Sequence, residues 1–150
     1  MFSQISTDNF QMKNEMSIGR AGELLAASIV ETFGYRTALC QQQGLDMILI
    51  DGNDYYKCEV KATKTTSKDK VKRYAFTTST GTNPKRTIDY TDVDIICLVA
   101  LDVRKCWFIR ADKDVKIRTN VGFERMVNNK EAEQLNRVIE DLRSEKCGKR

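Results

Sequence analysis

Residues 51–54 (Asp-Gly-Asn-Asp) lie between two runs rich in apolar, β-branched and aromatic side chains, at 45–50 and 55–62. These four residues have the composition of a tight turn, and a short turn between two such runs is typical of a β-hairpin. We therefore predict two neighbouring antiparallel strands. This hairpin constrains the fold because it places Asp46 and Glu59 on adjacent strands.

Apolar residues recur at spacings of three and four over residues 17–33, which predicts an amphipathic helix that ends at Gly34. The same spacing over residues 132–142 predicts a closing helix. Other runs predict short strands at 35–39, 73–78, 94–101 and 106–109, loops at 63–72 and 79–87, and an irregular stretch near Asn120. These elements predict an α/β (α+β) fold, with helices flanking a mixed, largely antiparallel sheet.

The chain has 150 residues, 41% of them hydrophobic and 31% charged, which suits one folded domain. We predict an N-terminal arm over residues 1–16, where apolar anchors are few, and a single domain over residues 17–150. No apolar run approaches the ~20 residues of a membrane-spanning helix, and residues 1–11 lack the pattern of a secretory signal. We expect a cytoplasmic protein with no membrane partner.

Histidine is absent from the sequence, so imidazole catalysis and the usual histidine-containing zinc sites are excluded. The five cysteines include no Cys-x-x-Cys pair. Most of them lie within or beside apolar runs, which favours buried, reduced thiols. Any catalysis must therefore use carboxylates, lysine, hydroxyls or a hard metal ion.

Three polar side chains of the predicted hairpin form a candidate site. Residues at i and i+2 of a strand share one face, so Glu59 and Lys61 project together, away from the side of Cys58 and Val60 that we expect to meet the core. Asp46 joins them if the turn sets the register. Two carboxylates and a backbone carbonyl suit Mg²⁺, which supports phosphodiester hydrolysis, and a nearby lysine can orient the attacking water.

Each of these residues also has an ordinary structural interpretation. A Glu/Lys pair on a strand is commonly a solvated surface, an aspartate often ends a loop, and Glu23 suits the surface of the first helix. A charge at the start of an apolar strand is costly if it is buried, which makes the loop interpretation of Asp46 less favourable. The order and spacing of the residues together favour a site.

Three segments resemble, in this order, the PD-(D/E)XK nuclease superfamily: Gly19-Arg20-Ala21-Gly22-Glu23, Gly44-Leu45-Asp46 and Glu59-Val60-Lys61-Ala62-Thr63. Within the superfamily the sequence resembles the short homing endonucleases of group I introns and the archaeal-type Holliday-junction resolvases. The stretch Tyr90-Thr91-Asp92-Val93-Asp94 also resembles the intron-endonuclease branch. The resemblance covers residues 17–110 and departs from the pattern at Leu45, where the family name places proline.

The resemblance implies a restriction-endonuclease-like core with four catalytic residues, namely Glu23, Asp46, Glu59 and Lys61. It implies that Asp46 and Glu59, with the carbonyl of Val60, bind Mg²⁺, for which Mn²⁺ can substitute. Lys61 would act on the attacking water. Glu23 would hold a metal-bound water or a second ion from the first helix.

Cationic residues are concentrated after the second strand of the hairpin. Seven cationic side chains stand against two acidic ones between Lys57 and Arg73, although the net charge of the whole chain is only +4. We predict that this region contacts DNA phosphates, together with one cation of the first helix and a later basic pair. The predicted residues are Arg20, Lys64, Lys68, Lys70, Lys72, Arg73, Lys85 and Arg86. A solubilising loop is the alternative interpretation.

These features predict a Mg²⁺-dependent DNA endonuclease, with homing-type, sequence-specific cleavage as the first hypothesis. A chain of this size holds one active site, so cutting both strands of double-stranded DNA needs a homodimer or homotetramer. The second hypothesis is a Holliday-junction resolvase or another structure-specific nuclease that acts on branched DNA. The third is a non-catalytic DNA-binding module of the same fold. Action on RNA or on damaged DNA stays open, because backbone contacts carry little information about the sugar.

Overall fold

The computed structural model describes residues 15–42, 44–80, 86–87 and 92–148. The helices and strands within these ranges are α1 (Glu15–Thr32), β1 (Arg36–Gln42), β2 (Leu45–Asp51), β3 (Asp54–Thr63), β4 (Arg73–Thr77), β5 (Ser79–Thr80), β6 (Arg86–Thr87), β7 (Ile95–Ala100), β8 (Lys105–Arg110), β9 (Arg118–Gly122), α2 (Phe123–Val127) and α3 (Glu131–Gly148). None of these helices is long and apolar enough to cross a membrane.

The main sheet has five strands in the order β1-β2-β3-β7-β8. Strands β3 and β7 are parallel, and the other neighbours in this sheet are antiparallel. The predicted class, a mixed and largely antiparallel sheet flanked by helices, is confirmed. All six residues of β7 are buried, as expected for the continuous apolar run of a central strand.

Helices α1 and α3 pack on one face of the main sheet. A Cβ atom at Gly22 would lie 2.4 Å from the Cβ of Ala62, so the glycine allows α1 to lie close against β3. Helix α3, whose apolar side chains the sequence predicted, supplies the rest of this layer. The core between helices and sheet includes Ala26, Val30, Met47, Leu49, Cys58, Val60, Leu135 and Ile139.

A second layer covers part of the opposite face. Strands β4 and β9 pair as a two-stranded antiparallel ribbon, and with α2 they bury a second core that includes Tyr74, Phe76, Ile96, Leu98, Ala100, Val121 and Met126. The prediction of an irregular stretch near Asn120 is therefore wrong, because this residue lies within β9 and pairs with Ala75. Only one side chain of β9, that of Val121, is buried, so the local pattern is too weak to indicate a strand.

The predicted hairpin is confirmed, with Gly52 at a φ of 61° in its turn. The first strand continues to Gln42, beyond the predicted end at residue 39. Helix α1 begins two residues inside the predicted arm, and residues 1–14 lie outside the described residues, as do Tyr90 and Thr91. The five cysteines are free, and Cys58, Cys97 and Cys106 are buried as predicted, whereas Cys40 is partly exposed and Cys147 is exposed.

Candidate active site

The register of the hairpin brings Asp46 to Glu59. The paired residues run from Asp51 and Asp54 at the turn to Met47 and Cys58, and one further step along both strands places Asp46 opposite Glu59. The ladder stops there. The backbone N–H of Val60 instead donates to Asp46 Oδ2 at 2.7 Å, so a side-chain carboxylate takes the place of a backbone carbonyl.

A β-bulge in β1 lies beside Asp46. Leu39 pairs with Met47 and Gln42 pairs with Leu45, so two residues of β1, Cys40 and Gln41, stand opposite the single residue Asp46. A bulge of this kind twists the strand and changes the direction of the opposing side chain. The bulge thus lies opposite the residue whose side-chain carboxylate points towards β3.

Glu59 and Lys61 are joined by a charged hydrogen bond, in which Lys61 Nζ donates to Glu59 Oε1 at 2.6 Å. Their side chains project opposite to Cys58 and Val60, as predicted. They lie away from the core that Cys58 and Val60 meet, but Glu59 pairs with the buried Ile96 on the face that the second layer covers. Glu59 is consequently only 5% exposed, whereas Lys61 reaches partly into solvent.

The Asp46 carboxyl group has a perturbed pKa. The pKa of Asp46 is raised from 3.8 to about 6, chiefly by burial and also by the negative charges of Glu59 and Glu23, against the lowering effects of the Val60 hydrogen bond and the charge of Lys61. A strongly perturbed carboxyl group beside specific charged partners is a common feature of functional sites. The same balance shows that Glu23, Glu59 and Lys61 each lie within electrostatic range of Asp46.

Glu23 lies at the rim of this group. It follows Gly22, the point of closest approach between α1 and β3, and its carboxylate is paired with Arg20 Nη1 at 3.0 Å. Direct hydrogen bonds therefore link Asp46 to β3 and Lys61 to Glu59, while Glu23 acts on Asp46 through its charge.

Among the described residues, no three carboxylate, cysteine or histidine side chains are placed together to hold a metal ion. The predicted ligand set of Asp46, Glu59 and Glu23 is therefore not assembled as a single cage. Glu23 is engaged with Arg20 instead. A metal site here would rest on two carboxylates and a backbone carbonyl.

That smaller donor set suits Mg²⁺, which binds proteins through one or two carboxylates and keeps several of its waters. Glu59 Oε2 is buried and has no hydrogen-bond partner among the described residues. A buried carboxylate oxygen without a partner is costly, and a bound cation would satisfy it. The Val60 N–H points towards Asp46, and the carbonyl of the same strand residue points to the same side.

The predicted DNA-binding residues fall into three groups. Most lie on the loop that connects β3 to β4 or at its end: Lys64 is half-buried, Lys68, Lys70 and Lys72 are exposed, and so is Arg73, the first residue of β4. Within this loop the Ser67 N–H donates to the Arg73 carbonyl at 2.8 Å, and Arg73 lies 3.8 Å from Asp69. Arg20 is beside Glu23. Lys85 and the side chain of Arg86 lie outside the described residues.

The predicted site omits two residues that the structure places close to it. Lys57 is exposed and precedes Glu59 by two positions, so it shares the face of Glu59 and Lys61. Its backbone N–H donates to Asp94 Oδ2, and the Asp94 N–H donates to the Lys57 carbonyl, both at 2.8 Å. The two-residue period identifies Lys57 from sequence, whereas the role of Asp94 depends on the parallel pairing of β3 with β7.

No protein-family model matches the sequence, and no curated protein is significantly similar to it. The fold, a mixed and largely antiparallel sheet flanked by helices, is nevertheless shared with a solved structure. The solved structure of a bacterial homing endonuclease, I-Ssp6803I, matches this chain with a TM-score of 0.65 over 89% of this chain and 98% of that chain. The sequences are only 11% identical, so the likeness concerns the fold.

Proposed function

We propose that this chain is a metal-dependent nuclease that hydrolyses phosphodiester bonds in DNA, with homing-type, sequence-specific cleavage of double-stranded DNA as its reaction. The observation that carries the proposal is the convergence of Asp46, Glu59 and Lys61 at the end of the β2–β3 ladder. Support also comes from the shared fold with a bacterial homing endonuclease.

Asp46, Glu59 and the Val60 carbonyl would hold Mg²⁺ or Mn²⁺. When bound, the ion supplies polarisation of the scissile phosphate and neutralises charge on the leaving oxygen. Lys61 donates hydrogen bonds from a partly exposed position beside Glu59, which suits it to orient the attacking water and to stabilise developing negative charge.

The cations around the site fit a polyanionic substrate. The exposed lysines of the β3–β4 loop follow directly after the strand that carries Glu59 and Lys61, so a phosphate backbone held by the loop would pass close to these residues. Arg20, paired with Glu23 at the rim, would contact an adjacent phosphate. Glu23 would hold a water there.

The proposal is tested by incubating the purified protein with plasmid, linear duplex and four-way junction substrates, with and without Mg²⁺. We expect Mg²⁺-dependent cleavage of DNA, and we expect Glu59→Ala and Lys61→Ala to abolish it. Both variants should still retain DNA in Ca²⁺ or EDTA, because the phosphate contacts lie elsewhere. Glu140→Ala and Lys130→Ala are matched controls, since both side chains are exposed outside this site.

The substrate pattern separates the alternatives. Cleavage of junctions far above linear duplex would replace the homing reaction with junction resolution. DNA retention without cleavage in any metal would indicate a binding module, and cleavage of RNA would change the substrate class. Cleavage that persists in both site variants would refute the assigned residues.

A further inference from the structure

The two edges of the main sheet differ in how their outward-facing backbone groups are hydrogen-bonded. At the edge formed by β8, side chains bind these groups. The Cys106 N–H donates to Glu131 Oε2 and the Phe108 N–H donates to Gln134 Oε1, both at 2.7 Å. The Cys106 carbonyl accepts a hydrogen bond from Asn129 Nδ2 at 2.8 Å. Side chains of α3 and of the segment before it therefore satisfy the outward-facing backbone groups of β8, which prevents another strand from pairing there.

The opposite edge, formed by β1, has no such cover in the described part of the chain. Among the described strands, β1 pairs with β2 alone. The strand contains no proline and no lysine, and its bulge at Cys40 and Gln41 protects only one end, beyond the regularly paired residues 36–39. Its one charged residue, Arg36, is at its end. The backbone of β1 thus offers hydrogen-bonding groups to another extended strand.

Apolar side chains flank this edge on both sides of the sheet. Leu39, which faces the helical layer with its partner Met47, is 36% exposed. On the other face Ala38 is exposed and Ile48, its partner in β2, is partly exposed. A bare strand edge between exposed apolar side chains favours association through strand pairing.

We propose that a second copy of this chain pairs with β1, so that two main sheets join through an antiparallel β1–β1 contact around a two-fold axis near Ala38. An isologous antiparallel pair is self-complementary, because each strand supplies the backbone groups that the other lacks. In this register Ala38 lies opposite Ala38 of the second copy, and Thr37 lies opposite its Leu39. The two Arg36 side chains stand at opposite ends, so like charges do not oppose the contact.

The consequence for cleavage rests on the proposed nuclease function. A two-fold axis perpendicular to the joined sheet keeps the same face of both copies on one side. Because β2 is next to β1, the two Asp46 residues would lie about 14 Å apart across the joined sheet and about 13 Å apart along the strands, since Asp46 is two residues from Ile48, the partner of Ala38. Two active sites on one side of one assembly would allow both strands of a duplex to be cut, which one site cannot do.

Sedimentation velocity over a range of protein concentrations tests the contact in the full chain. We expect wild type to form dimers, and we expect Ala38→Lys and Ala38→Glu to be monomeric, because like charges would be opposed across the axis. Mixing the two variants should restore a dimer, since a lysine would then face a glutamate. Ala75→Lys is the matched control: Ala75 is an exposed alanine of β4 and the substitution adds the same charge.

A wild type that is monomeric at every concentration, or Ala38 variants that dimerise as wild type does, would overturn the contact. A monomeric wild type with slowly exchanging β1 amides would show that the same chain covers the edge, which also overturns the contact. Plasmid cleavage separates this result from the proposed function. Monomeric variants should nick one strand but lose double-strand cleavage. If the variants associate as predicted but no protein nicks DNA, the β1–β1 contact is supported and the proposed nuclease function is refuted.

Discussion

Lys61 Nζ lies 2.6 Å from Glu59 Oε1, while the other oxygen of the same carboxylate is buried without a hydrogen-bond partner among the described residues. The ion pair therefore satisfies one of the two oxygens of the buried carboxylate. The oxygen without a partner is the observation that supports the proposed cation at Glu59.

Replacing Lys61 with methionine should lower the free energy of unfolding by about 2 kcal/mol in EDTA, because it leaves the buried Glu59 charge unpaired; the partial exposure of Lys61 keeps the cost below that of a fully buried pair. Chemical denaturation measures it. The double variant Glu59→Gln/Lys61→Met should be less destabilised than Lys61→Met alone. Lys130→Met, at an exposed lysine, should change little, and an equal loss there would contradict the ion-pair explanation.

The raised pKa of Asp46 predicts a pH-dependent stability. Because the folded-state pKa is about 6 and the unfolded value is 3.8, this carboxyl group contributes stability that is fully present below pH 3.8 and is lost as the pH rises through about 6. Asp46→Asn should therefore be more stable than wild type at pH 8 in EDTA, with the difference vanishing near pH 4. A pKa raised by about two corresponds to about 3 kcal/mol, and solvent screening of this partly exposed carboxyl group reduces the expected difference to about 1 kcal/mol. Denaturation at both pH values measures this, and a difference independent of pH would rule out the shifted pKa.

The approach of α1 to β3 depends on Gly22. Gly22→Ala should destabilise the fold by about 1–3 kcal/mol, because the new Cβ would lie 2.4 Å from the Cβ of Ala62. Adding Ala62→Gly should restore part of this loss. Gly19→Ala in the same helix has no atom within 4 Å of its new Cβ and should stabilise the protein by about 0.5–1 kcal/mol. Thermal unfolding compares the variants, and equal effects at the two glycines would contradict the packing explanation.

The exposed lysines of the β3–β4 loop should set the salt dependence of DNA binding. Removing Lys68, Lys70 or Lys72 should reduce the slope of log affinity against log salt concentration by about 0.9 for each phosphate that is no longer neutralised. Fluorescence anisotropy in Ca²⁺ measures the slope without cleavage. Arg137→Ala, at an exposed cation on α3, should leave the slope unchanged. If the loop variants behave as this control does, the loop is a solubilising one.

Much of the local structure could be predicted because it depends on neighbours in the chain. The turn at 51–54 and the strand runs on either side predicted the hairpin, and the hairpin set Asp46 opposite Glu59. The two-residue period of β3 placed Glu59 and Lys61 on one face. Helical spacing likewise predicted α1 and α3, since an amphipathic helix records its buried side in the sequence.

The sequence by itself determined which residues form these elements and which side chains share a strand face, because hydrogen bonding and alternation within a hairpin are local. Only the tertiary structure decided that Glu59 is buried, because its cover comes from the β4–β9 ribbon, whose pairing joins distant segments by a weak pattern. The bulge opposite Asp46 and the pairing of Glu23 with Arg20 were decided there too. The charge, depth and metal-holding capacity of such a group depend on what packs around it, and packing is a property of the folded chain.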